Sequence, residues 1–166
     1  MVELTADDLN YLSEFQKLTS IYPLDYMNTE LALLFLVENK GELYKALGKK
    51  GVNLIQLSKK FGKSVFIILS SSDLKDMIRN CFHSLQNMDI KVEERGEGTQ
   101  VTLIVGEEDK GIAIGRGGAR IKAVKELLKK KFNVTNFQLR TTKRFSGNEG
   151  GVEIEEPSAP IDEQQV

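Results

Sequence analysis

The chain has one cysteine, Cys81, and one histidine, His83, among 166 residues. A single cysteine excludes an internal disulfide, and this pair is too few for a Cys/His zinc site. Cys81 instead reads as a packing residue beside Met77 and Ile78. No Ser/His/Asp or Cys/His arrangement can be built around His83, which falls in a predicted packing helix. The chain is therefore expected not to be an enzyme, with no catalytic residue, metal or cofactor. No apolar run approaches the roughly 20 residues that a membrane helix needs. Met1-Val2-Glu3-Leu4 lacks the pattern of a secretory signal. These absences point to a cytoplasmic protein with no membrane partner.

Charge of one sign is missing from particular stretches. Residues 45–63 hold six lysines and no acid, and residues 110–144 hold eleven Lys/Arg against one acid, Glu126. Residues 149–166 hold six acids and no base, and residues 1–44 hold eight acids against two bases. The net charge of −1 thus conceals two basic segments.

Both basic segments contain the same short motif. Gly48-Lys49-Lys50-Gly51 and Gly115-Arg116-Gly117-Gly118 align at an offset of 67 residues without a gap. Ala46, Leu47, Leu54, Leu57 and Phe61 match Ala113, Ile114, Ile121, Val124 and Leu128. A repeat this long indicates a duplicated domain rather than a solenoid. Glycine permits positive φ and close approach of a ligand to the backbone. A helix N-terminus following the loop favours anions. Lys49, Lys50 and Arg116 add cations there, while Gly117 removes one and Arg120 restores it where the first copy has Asn53. A dinucleotide fingerprint is excluded because Arg120 stands at its third glycine. A P-loop is excluded because Leu57 stands at its first. The plain alternative for each loop is a helix–turn–helix corner.

Periodicity predicts helices over 3–18, 41–47, 52–61, 73–83, 110–114 and 119–132. Strands are predicted over 21–28, 31–38, 65–69, 88–94, 101–105 and 136–142. The first helix is expected to bury Leu9, Leu12, Phe15 and Leu18, and Asp109 is expected to cap the short helix at 110–114. The order αββααβ occurs twice, giving an α+β chain of two units at 1–70 and 71–145. An acidic segment at 146–166 is expected to be disordered, either as a solubilising terminus or as an arm that competes for the basic face.

With these elements in place, the chain resembles tandem K-homology (KH) proteins of type II, whose order is αββααβ. The RNA-recognition module needs stacking aromatics on central strands, and 101–105 has none. Within KH proteins the resemblance is to the archaeal NusA family of transcription elongation and termination factors. Glu93 to Gly98, Val101 to Val105 and Glu108 to Gly118 carry it most closely, and the similarity covers residues 3–142. The family usually has Ile-Gly-Lys-x-Gly, and Leu47 holds the isoleucine place in the first copy.

The resemblance implies binding of single-stranded RNA by a monomer and association with RNA polymerase or a transcription complex, in termination, antitermination or elongation. The bacterial polymerase-binding and S1 domains are not seen in the sequence, so polymerase contact is expected through the KH pair, the tail or another protein. The RNA-binding residues would be Gly48, Lys49, Lys50, Gly51, Asn53, Gly115, Arg116, Gly117, Gly118, Arg120 and Lys122. Bases would lie in grooves lined by Ala46, Leu47 and Leu54 and by Ala113, Ile114 and Ile121. The alternatives are an RNA-binding protein of the ribosome or its assembly, and a KH scaffold for protein–protein interaction.

Overall fold

The structure, a computed structural model, describes residues 3–85 and 87–143, so the acidic segment expected at 146–166 lies outside it. The chain forms two compact units divided between Cys81 and Phe82.

In the first unit, α1 (Ala6–Thr19) begins where Thr5 and Asp8 cap each other. Thr5 Oγ1 accepts from the Asp8 N–H at 3.1 Å, and Asp8 Oδ2 accepts from the Thr5 N–H at 3.0 Å. Then come β1 (Asp25–Asn28), β2 (Ala32–Val37), α2 (Lys40–Leu47), α3 (Val52–Phe61), β3 (Ser64–Leu69) and α4 (Leu74–Cys81). Strand β2 is central, antiparallel to β1 and parallel to β3. All six of its residues are buried, as its unbroken apolar run predicts. Phe15 stacks on Phe35 at 4.1 Å and Tyr11 meets Phe61 edge-on at 4.8 Å, fixing α1 against β2 and α3.

The expected apolar stripe on α1 is corrected here. Leu9 and Leu18 are 55 % and 37 % exposed, and Tyr11, Leu12 and Phe15 form the inward face. Strand β1 also starts later than expected. The Ile21 N–H bonds to Thr19 Oγ1 as the chain leaves α1, and Pro23 has no N–H to give a ladder.

An internal polar network joins α1 to the sheet. The Tyr26 hydroxyl donates to Asp8 Oδ1 at 2.7 Å and Asn28 Nδ2 donates to the same oxygen at 3.2 Å. Lys63 Nζ donates to Asn28 Oδ1 at 2.7 Å and to the Thr29 carbonyl at 2.8 Å. The Thr5 N–H and then the Tyr26 hydroxyl hold the Asp8 carboxyl down to about 2, against the smaller opposing effect of burial. Burial first, and then the Asp8 carboxylate, push the Tyr26 phenol up.

The second unit contains β4 (Met88–Arg95), β5 (Gly98–Gly106), α5 (Lys110–Ile114), α6 (Ala119–Phe132) and β6 (Val134–Thr142). Strand β5 is central, antiparallel to β4 and parallel to β6, repeating the arrangement of the first unit. Leu103 of β5 and Ile121, Val124 and Leu128 of α6 are buried. Thr135 is an extra residue where the register shifts between Thr99 and Gln100. A Cβ on Gly98 would come within 2.4 Å of its side chain.

Two local expectations change. Helix α4 stops at Cys81, so His83 lies exposed in a turn instead of in a packing helix. Asp109 precedes α5 but makes no side-chain cap bond, because a single 3₁₀ turn over Glu107–Asp109 leads into the helix. Cys81 is buried with Met77 and Ile78.

Candidate nucleic-acid interface

Each glycine loop joins two helices, α2 to α3 and α5 to α6, and the two backbones share one conformation. Gly48 has φ 77° and ψ 174°, and Gly115 has φ 81° and ψ 173°. The third loop position is left-handed in both, at φ 56° in Lys50 and φ 61° in Gly117. Gly51 and Gly118 are left-handed as well, with φ of 72° and 85°. Each loop closes with a turn, Gly51 N–H to Gly48 carbonyl at 3.0 Å and Gly118 N–H to Gly115 carbonyl at 3.1 Å. The first position demands glycine for two reasons. Its φ and ψ lie in a region that side chains almost never enter, and there is no room for a Cβ. That atom would meet the Asn53 amide at 2.8 Å in one loop and the Arg120 backbone nitrogen at 2.7 Å in the other.

The loops then open onto helices whose N-caps, Gly51 and Gly118, supply no capping side chain. The Val52 and Ala119 N–H groups donate back to the Lys49 and Arg116 carbonyls, and with no side chain capping the first turn the positive end of each helix dipole suits an anion. Lys49, Lys50, Arg116 and Gly117 are exposed, and Arg120 and Lys122 are half-buried.

Several expected roles divide on this geometry. Asn53 Nδ2 donates to the Ala46 carbonyl at 3.1 Å and reaches the Lys45 carbonyl at 3.5 Å, so it fastens the end of α2 to the start of α3. Ala46, Ala113 and Ile121 are buried core and offer no surface to a base, whereas Leu47, Leu54 and Ile114 are only partly buried. The first basic segment also has less charge to offer than its count suggests. Lys60 pairs with Glu14 of α1, whose carboxyl it holds below the ordinary value, and Lys63 is bound to Asn28 and Thr29.

Sequence reasoning named Lys122 but not its helix neighbours. Helix α6 runs one turn past the position matching the end of α3, and that turn carries Lys129, Lys130 and Lys131. Lys122, Lys125 and Lys129 line a cleft of about 380 Å³ with Glu126, Val134, Thr135 and Phe137. The signal was present in the sequence as lysines at i, i+3 and i+7.

A KH domain family model matches residues 74–143, from α4 to the end of the second sheet. The solved structure of APE1850 is 34 % identical, with a TM-score of 0.65, and the match covers 82 % of this chain and 100 % of that one. Relatives bearing the name "Probable transcription termination protein NusA" come from Methanocaldococcus jannaschii, Methanococcus vannielii and Thermoplasma acidophilum. The first is 27 % identical, covering 83 % of this chain and 75 % of its own length. The second is 28 % identical with 83 % and 79 % covered, and the third 25 % identical with 84 % and 98 % covered.

The KH domain over residues 74–143 and the likeness to archaeal NusA-named proteins along four-fifths of the chain support an archaeal NusA-type KH protein. The family match to this KH protein contains the second loop and α6 entire, while the first loop lies outside residues 74–143. Among the described residues of the KH protein, no helix is long and apolar enough to cross a membrane.

Proposed function

We propose that this KH protein is a single-stranded RNA-binding factor of transcription termination or antitermination, built from two tandem KH domains that each hold the RNA backbone at a glycine loop. The observation that carries the reading is the shared loop conformation, with positive φ at three of four positions in both copies. In this reading the loop backbone and the uncapped starts of α3 and α6 receive phosphates. Lys49, Lys50, Arg116, Arg120 and Lys122 supply charge. Asn53 holds the first loop's shape. The relatives' shared name, which is of transcription termination, favours nascent transcripts over ribosomal RNA, and association with RNA polymerase in the cytoplasm is part of this reading. The protein acts as a monomer without chemistry of its own.

The test is the double variant Arg116→Asp with Gly117→Asp, assayed for binding to single-stranded RNA and for thermal stability. Affinity is expected to fall at least tenfold while stability falls by no more than the roughly 1 kcal/mol that a side chain at positive φ costs, because the matching position of the first loop already carries a side chain at φ 56°. With about five phosphates neutralised, log K for the unaltered protein should fall against log salt with a slope of roughly −3 to −4. A slope near zero, or a variant that unfolds without a separate binding defect, would return the loops to simple corners.

A further inference from the structure

Of the residues expected to line the base-binding grooves, Ala46, Ala113 and Ile121 are buried, while Leu47, Leu54 and Ile114 keep part of their surface, and other side chains beside the loops can add to that surface. The two loops differ most in what stands beside them. At the offset of 67, Tyr44, Val52 and Ile55 of the first copy align with Gly111, Ala119 and Lys122 of the second. Tyr44 is 66 % exposed, and Val52 and Ile55 are also exposed. Gly111, by contrast, has open space where a Cβ would be. One register position thus carries a whole phenol in one copy and a bare backbone in the other.

Tyr44 is held close to the loop by its own backbone. Its carbonyl accepts from the Gly48 N–H at 3.0 Å, which ties it to the first glycine. Four residues of helix place its Cα roughly 6 Å from that glycine along the axis. The Cα–Cβ bond tilts toward the helix N-terminus, over the turn that contains Gly41. Among the described residues the Tyr44 hydroxyl makes no hydrogen bond and the ring joins no aromatic pair. A large flat side chain exposed one turn from a cationic phosphate grip suits a nucleobase. Base–aromatic stacking tolerates any sequence because every base has a π-face.

We propose that Tyr44 is a base-stacking platform of the first loop, where a nucleotide neighbouring the held phosphates lays its base on the phenol. The second loop has no such platform at Gly111 and grips chiefly through backbone and charge. This inference rests on the RNA-binding reading above. It adds a division of labour in which the second copy supplies electrostatic grip and the first supplies an uncharged contact to bases.

The test uses the full chain with an oligoadenylate dodecamer and a pool of random single-stranded RNA dodecamers. Inorganic polyphosphate serves as the base-free probe. Tyr44→Ala should weaken RNA binding roughly fivefold to a hundredfold and leave the salt slope and polyphosphate binding unchanged. Tyr44→Phe should bind like the unaltered protein. The chain has no tryptophan, so Tyr44→Trp creates a single indole whose fluorescence should be quenched by RNA and not by polyphosphate.

Normal RNA affinity of Tyr44→Ala together with an unquenched Tyr44→Trp overturns the platform while leaving the RNA-binding reading intact. Equal weakening of RNA and polyphosphate overturns it as well, because a stacked base would not be the cause. If the unaltered protein binds neither RNA probe, the broader reading fails first and takes the platform with it. Circular dichroism melts of each variant separate a binding defect from a folding defect.

Discussion

At the scale of single residues, the third loop position sets stability against charge. Lys50 adopts φ 56° and Gly117 adopts φ 61°, and a left-handed conformation costs a side chain about 1 kcal/mol that glycine does not incur. Lys50→Gly is expected to leave stability equal or to raise it by up to about 1 kcal/mol in urea unfolding, since added chain entropy offsets part of the relief. It should also weaken RNA binding and make the salt slope shallower by about 0.7. Gly117→Lys should do the reverse at the second loop. Matching signs for stability and affinity in these variants would contradict the assignment of the position. The sequence exposed Gly117 as a missing cation, but only the dihedral angles reveal why glycine is favourable there. Asn53 was legible as a polar loop residue. Its bond to the Ala46 carbonyl was not, because that bond depends on how two helices meet.

At the scale of elements, the best-read pieces were those with an unambiguous pattern. The unbroken apolar run of β2 corresponds to what the chain does, and Thr5, a residue type suited to a helix start, does cap α1. The stripe on α1 misled because a period of 3.6 identifies a helix more securely than its inward face. Tyr11 displaced Leu9 and Leu18 once Phe61 became its neighbour. The network from Asp8 to Tyr26 and Asn28 leads to a pH prediction for the whole first unit. The Asp8 carboxyl titrates at about 2 in the folded chain, below its unfolded value of roughly 4. Its contribution is complete above about pH 4 and disappears as pH falls toward 2. Asp8→Asn should therefore melt at a lower temperature than the unaltered chain at pH 7, with the gap narrowing between about pH 4 and 2. A gap independent of pH would assign the effect to lost packing instead.

At the scale of the molecule, the formal charge of −1 understates the attraction to RNA because the acids lie apart from the loops in sequence. Residues 146–166 contain six acids and no base, so the chain ending at residue 145 would carry −1 + 6 = +5. That shorter chain should bind single-stranded RNA more tightly at low salt, with the advantage shrinking as salt rises and screening shortens the Debye length. Equal affinity at every salt concentration would give those acids no part in RNA binding. The doubled element order was readable because the loops preserve their spacing without a gap. The extra turn of α6 was readable too, inside the predicted span 119–132, whereas the additional residue at Thr135 was not, since it follows the point at which the copies cease to align.

The common backbone of the two loops also says something about how such a protein can diversify. Glycine at the first position is fixed by the crowding of Asn53 and Arg120, but the position two residues later faces open space and already tolerates both a lysine and no side chain. After a duplication, that place can change its chemistry without disturbing the frame around it. One copy can then drift toward tighter grip and the other toward a more robust fold, and neither has to be reinvented.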